Sequence, residues 1–390
     1  HKKLMNKAII FLMIFMAFDS PLITKSEECM ILHQQKRWFL GELAVGGLSN
    51  QLSGIYSNIP MARFLNASLI IGHMYSRVSF EDSFTKVLKS AFPIPFSYFY
   101  DWNYFHQYWS SRNLSVIQNH DIENCLDKKL FHGIKRDKFF AKSDTQIVGF
   151  LQKSHIPNPI PDDIKFLEIS FIHKMICFYD FWQSNNHLQL LYDIHSSMKP
   201  NATLEKVINN IITTLPATYW SAHIRIEGDA ISYDGQNDTQ FQTSIQSHMD
   251  HIRSSKCIQQ HVEQSKCSLS LSNCVLPSLF IASGVFQKHN HSFLTLRSSR
   301  LMHDLDLLGF KHIMTHHQAV YDQASHLTLE QLAYVDQEIA RRATCYIPSY
   351  SFTSFSYVVL RQRQMNAGPL RLEDKYSLGY HDQYYTKWGF

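Results

Sequence analysis

The chain has 390 residues, 45% of them hydrophobic and 13% aromatic, which excludes a disordered or fibrous class and leaves ample apolar surface for a core. A formal net charge of +4, with both signs dispersed along the chain, is too mild to argue for a nucleic-acid partner. The 22 histidines do not fall into metal-ligand spacings, no internal repeat is visible, and a chain of this length is expected to hold two domains.

In chain order, Lys2, Lys3 and Lys7 precede an apolar run over residues 8–18, the pattern of a secretory signal. That run is shorter than the roughly 20 apolar residues of a membrane-spanning helix. Residues 1–25 are read as a signal peptide, cleaved or kept as a signal-anchor. Residues 38–40 form a short apolar strand, followed by a turn at Gly46-Gly47. Leu52, Ile55, Ile59 and Ala62 then recur on one face of a helix that Pro60 is expected to interrupt. With a strand over 68–71 this makes a βαβ unit. The aromatic stretch Ser97-Tyr98-Phe99-Tyr100-Asp101-Trp102 reads as core packing, and 156–161, with three prolines, as a loop.

A second unit begins near 195–205. Its elements are a helix over 206–215, a strand over 219–226, a strand over 279–282 and a helix over 300–308. Asp304-Leu305-Asp306 has the D-x-D form of many metal-dependent glycosyltransferases. It lies among Leu301, Leu305 and Leu308 and is read as a solvated helix face. Thr328 and Gln331 form a capping box opening a helix to Arg342, with Leu332, Val335 and Ile339 inward. A strand over 345–347 and a helix from about 353 to 363 follow. Alternating strands and helices predict an α/β fold of two Rossmann-like domains, 26–200 and 201–390, with a cleft between them.

Five sequons (Asn66, Asn113, Asn201, Asn237 and Asn290) and seven cysteines without a C-x-x-C pair agree with a lumenal location. Cys257, Cys267 and Cys274 lie close enough to close a local loop, although the pairing is not legible.

No Walker lysine motif, H-E-x-x-H or G-x-S-x-G is present. Three features carry chemistry. His223 and Arg225 share one side of a strand and lead into Glu227 and Asp229, where an arginine beyond the strand end clamps phosphate oxygens or else forms a structural ion pair. Gly46, Gly47, Leu48, Ser49 and Asn50 form a turn whose backbone and following helix can approach a phosphate. Thr353, Ser354 and Phe355 open a helix after a strand, a position for a helix cap or for diphosphate binding.

Taken together, these motifs resemble the protein O-fucosyltransferase-like family, especially its plant-type branch. The glycine turn with Ala62-Arg63-Phe64-Leu65-Asn66-Ala67-Ser68-Leu69 resembles its first motif, and His223-Ile224-Arg225-Ile226-Glu227-Gly228-Asp229 its H-x-R-x-E-x-D motif. Phe280-Ile281-Ala282-Ser283-Gly284 resembles the next strand and turn. The segments 332–336 and 346–350 resemble its last helix and strand, and the Thr353-Ser354-Phe355 turn is similar to the third motif of its animal members.

The resemblance implies an inverting, metal-independent GT-B transferase that uses GDP-fucose and no cofactor. The signal pattern and sequons place it in the lumen of the endoplasmic reticulum or Golgi, with membrane contact only through a possible N-terminal anchor. Its acceptor would be a hydroxyl of a protein or glycan. Arg225 would hold the β-phosphate and His223 the nucleotide. Gly46 to Asn50 would approach from the N-terminal half, with Ser283, Thr353, Ser354 and Phe355 binding from the C-terminal half. Asp229 would sit beside the donor, and Glu42 or Glu227 would act as base. Where animal members carry an aspartate for guanine, this chain has Thr344, which opens UDP-rhamnose as an alternative donor. A non-catalytic, glycan-binding relative is the third reading.

Overall fold

The computed structural model describes residues 37–41, 43, 47–77, 91–119, 131–133, 152, 155–169, 185–225, 238–265, 276–283, 292–310, 322–349 and 353–366. The signal segment 1–25, and with it the apolar run 8–18, lies outside them. Among the described residues no helix is long and apolar enough to cross a membrane.

The first βαβ unit is β1 (Trp38–Gly41), α1 (Leu48–Phe64) and β2 (Ser68–Ile71), with Trp38 opposite Ser68 in a parallel pair. A small antiparallel hairpin follows, β3 (Met74–Ser76) with β4 (Phe92–Ile94). After α2 (Trp102–Ser110) come β5 (Val116–Gln118), β6 (Phe131–Gly133) and β7 (Phe166–Ile169). They complete a parallel sheet in the order β5-β2-β1-β7-β6. β1 and β2 are buried along their whole length, as strands covered on both faces must be.

α1 departs from its sequence reading in two ways. It continues through Pro60 to Phe64, although the ring removes one helical hydrogen bond, because Ile59, Met61 and Ala62 on either side are packed into the core. It also buries far more than one apolar face, including Ser49, Gln51, Ser53, Ser57 and Asn58. Small hydroxyls make this tolerable: Ser53 and Ser57 donate back to the carbonyls of Ser49 and Ser53, at 2.9 and 2.8 Å. Asn58 donates to the Gly41 carbonyl at 3.0 Å, and a methyl group at Gly41 would overlap that amide, so the strand needs glycine there.

The aromatic stretch is core, as expected. Phe96, Phe99 and Tyr100 are essentially inaccessible and pack with Trp102, Phe105 and Tyr334. α3 (Asn185–Ser197) and α4 (Ala202–Thr214) follow. Asn201 caps α4 by accepting from the Leu204 N–H at 2.8 Å. Its amide nitrogen also donates to the carbonyls of Ser97 and Tyr98, at 2.9 and 2.8 Å. The nitrogen that a glycan would occupy is thus committed, which sets Asn201 apart from the exposed, left-handed Asn66 and Asn113. Asn237 and Asn290 lie outside the described residues. Peptide mass mapping after expression in a secretory host should find the Asn201 sequon unmodified.

The second sheet is parallel in the order β10-β8-β9, from β8 (Tyr219–His223), β9 (Ser278–Ala282) and β10 (Cys345–Ile347). Its helices are α5 (Asp238–Arg253), α6 (Lys256–Ser265), α7 (Ser292–Leu307), α8 (Leu329–Arg342) and α9 (Ser354–Asn366). On one face Trp220, Ala222 and Ile224 pack with apolar residues of α5, α6 and α7. On the other, Tyr219, Phe280 and Ala282 join a core that includes Val335, Ile339 and Val358 and extends to Phe39 and Leu69 of the first sheet.

α8 starts at the Thr328–Gln331 capping box and buries Leu332, Val335 and Ile339. The D-x-D pair lies on α7 beside buried Leu301, Leu305 and Leu308, with Asp306 exposed. The strand expected to reach residue 226 ends at His223. A local cysteine loop does not involve Cys257, which is bonded to Cys345, 88 residues away, while Cys267 and Cys274 lie outside the described residues.

Candidate active site

In a parallel sheet the loops beyond the strands' carboxyl ends form the binding edge. Here these are Ile224-Arg225 after the central strand β8, Ser283 after β9, and Ser349 leading to α9 after β10. Ile224 still donates to the Ala282 carbonyl at 3.2 Å, which keeps the start of the Arg225 loop against β9, and Ser283 is buried beside it.

The face of β8 carrying Ser221 and His223 is covered by helices, and both residues are buried. The His223 ring stacks on Phe355 with centroids 4.3 Å apart. Its Nδ1 lies 2.9 Å from Ser356 Oγ and 3.1 Å from Thr353 Oγ1. Thr353 also caps α9, accepting from the Ser356 N–H at 3.1 Å. Ser356 Oγ accepts from the Ser349 N–H at 2.9 Å and from the Tyr346 hydroxyl at 3.2 Å. His223 Nδ1 thus faces two hydroxyls, Ser356 Oγ and Thr353 Oγ1. Burial, then the neighbouring Arg225 charge, pushes the His223 pKa well below the ordinary histidine value, in keeping with a neutral ring. His223, Thr353, Phe355 and Ser356 thus meet at one edge, with the half-buried Arg225 two residues beyond His223 and Ser354 in the first turn of α9.

Two histidines on α5, missed in the sequence, hold the loops of this edge. His248 is hydrogen-bonded to the backbone of Arg225 and His251 to the backbone of Pro348. Their three-residue spacing places both on one helix face, but only the fold puts that face under the two loops. Burial pushes His248 down to about 4. Between the unfolded value near 6.5 and about 4 the unfolded chain binds a proton that the folded chain refuses. The stability due to His248 is therefore complete above pH 6.5 and is lost on acidification, by about 1.4 kcal/mol per pH unit. Melting temperatures measured from pH 7.5 to 4.5 should fall, and His248→Gln should flatten the slope.

The glycine turn is held from the C-terminal half of the chain. Gly47 caps α1 without a side-chain bond, and the Leu48 N–H is taken by Glu330 Oε2 of α8 at 2.7 Å. Ser49 Oγ accepts from Gln337 at 2.6 Å. The turn is thus fastened to α8, and α1 packs against both α8 and α9. Asn50 is in the same first turn. Gly46, Glu42, Glu227 and Asp229 lie outside the described residues.

Thr344 occupies the opposite end of the sheet. Its hydroxyl donates to the Tyr219 carbonyl at 2.7 Å, where β8 begins, whereas Arg225 lies six residues on. At about 3.3 Å per strand residue this separates Thr344 from Arg225 by roughly 20 Å.

Two parallel α/β sheets, with a buried histidine and an arginine at the binding edge of the second, form a GT-B-like fold. A sequence profile described as GDP-fucose protein O-fucosyltransferase matches residues 39–366, and the chain belongs to that family. Among solved structures it is similar to POFUT1 in complex with GDP, at 12% identity and a TM-score of 0.45 over 84% of this chain and 95% of that one. It is also similar to NodZ alpha-1,6-fucosyltransferase soaked with GDP-fucose, at 12% identity and a TM-score of 0.42 over 84% and 92%. No curated protein matches by sequence.

Proposed function

We propose that this glycosyltransferase moves fucose from GDP-fucose to a hydroxyl of a protein or glycan acceptor, with inversion and without a metal ion. The observation that carries the reading is the cluster of buried His223, Thr353 and Ser356 with partly buried Phe355, beside Arg225 at the carboxyl end of β8. In the proposed reaction the acceptor oxygen attacks C1 of fucose from the face opposite the diphosphate. The C1–O bond breaks and its electron pair passes to the β-phosphate oxygen. The Arg225 guanidinium stabilises that charge, which develops only as the bond breaks. Neutral His223, held by Ser356 and stacked on Phe355, presents Nε2 to the nucleotide. Glu227 or Glu42 is the proposed base that takes the acceptor proton.

The Cys257–Cys345 bond supports a lumenal, oxidising location in the endoplasmic reticulum or Golgi. Incubating the purified protein with a panel of nucleotide sugars should give turnover of GDP-fucose and a calorimetric preference for GDP over UDP. An inert GDP-fucose beside an active second donor would overturn the donor assignment.

A further inference from the structure

The first turn of α1 has a glycine cap and no acidic residue of its own, so its leading N–H groups need outside partners. Glu330, fully buried, supplies one carboxylate oxygen to Leu48 and the other to Arg77, whose Nε lies 2.5 Å away. A buried carboxylate is costly unless its oxygens are paired and its charge is balanced. Both partners here come from the N-terminal half of the chain, although Glu330 itself stands on α8.

The surrounding contacts close this arrangement. A Cβ on Gly47 would stand 3.4 Å from Arg77 Nη2, so the guanidinium lies against the turn. Gln51, in the first turns of α1, holds Tyr75 by both backbone groups: its Oε1 accepts from the Tyr75 N–H at 2.7 Å and its Nε2 donates to the carbonyl at 2.8 Å. This fixes β3 and, two residues on, Arg77. Gln337 lies two turns along α8 from Glu330 and reaches Ser49. The far end of α8 runs into β10 and from there to the Ser349–Thr353–Ser356 cluster around His223.

We infer that Glu330 is a positioning residue for the donor: it sets the glycine turn and Arg77 in register with the Arg225 edge through α8. This rests on the reading above, in which the donor diphosphate lies between that turn and Arg225. Glu330 touches no donor atom in this account and acts through Leu48 and Arg77.

The test uses the full chain, with GDP titrated by calorimetry and GDP-fucose kinetics measured alongside melting temperatures. Glu330→Ala should weaken GDP binding about tenfold or more and raise the donor KM. Glu330→Gln keeps an acceptor for the Leu48 N–H but no charge for Arg77, and should fall between wild type and alanine. Glu205→Ala, which breaks the more exposed Arg342 pair, serves as control and should bind GDP like wild type. Folded Glu330 variants with a lowered melting temperature but wild-type GDP affinity and KM would show a structural role only and overturn the proposal. Should the alanine variant not fold, the glutamine variant decides by the same measurements. A wild-type chain that binds neither GDP nor UDP sinks the donor reading and this role with it. GDP binding by wild type, unaltered in the glutamine variant, sinks the role of Glu330 alone.

Discussion

Replacing Arg225 by alanine is expected to lower transfer roughly a thousand-fold while the protein stays folded, as in other sites that lose a donor to developing negative charge. The residue lies beyond the end of β8, half-buried, so its side chain contributes little to the core packing that Trp220, Ala222 and Ile224 supply. The loss should fall on kcat more than on donor binding, since the charge on the departing diphosphate grows as the bond breaks. Arg225→Lys should recover only part of the rate, because an ammonium keeps the charge but not the planar fork that pairs with two phosphate oxygens. Steady-state kinetics with GDP-fucose, together with thermal melts, check both variants. An alanine variant with unchanged kcat would take Arg225 out of the mechanism.

The second large effect concerns stability. Cys257 on α6 and Cys345 on β10 are joined across 88 residues with their Cα atoms 6.0 Å apart. A crosslink spanning such a loop stabilises by about 4–5 kcal/mol in the chain-entropy account. Cys345→Ser, or reduction, should therefore lower the unfolding free energy by a similar amount, read as a fall in the denaturant midpoint with and without reductant. The consequence should reach the site, because β10 carries the loop to Ser349 and Thr353, and His251 on the neighbouring helix holds Pro348. An unchanged midpoint on complete reduction would show that packing of α6 against β10 suffices.

Much of the local structure was legible from short-range patterns. The β1–α1–β2 unit follows from an apolar run, a glycine turn and a helical repeat, and α8 from its capping box, because these signals act within a few residues. The leucine spacing around Asp304-Leu305-Asp306 predicts a helix, which α7 is, with Asp306 exposed and Asp304 partly buried. The pairing of His223 with the Thr353 turn was also foreseeable, though through a family motif and not from spacing, since 130 residues separate the two.

Other features were hidden because their causes are distant in sequence. Ser356 joins the His223 site only because the fold brings Ser349, Tyr346 and His223 around its hydroxyl. Asn201 looks like any sequon until its amide is seen bonded to the 97–98 carbonyls. Pro60 signals a break that burial on both sides overrides, and Cys257 ignores its near neighbours in favour of a strand that only sheet formation brings close.

The sequence by itself determined the alternation of strands and helices, the strand that leads into His223 and Arg225, and the hydroxyl-rich start of α9, all of which rest on residue type and local periodicity. Only the tertiary structure decided what stands at the start of α1. A glycine cap leaves backbone donors open to any acceptor, and nothing local names one. The fold brings Glu330 and Gln337 of α8 to that turn and binds it to the C-terminal half. It also carries Thr344 to the far end of the sheet, because parallel strands in register place residues by strand position and not by distance along the chain.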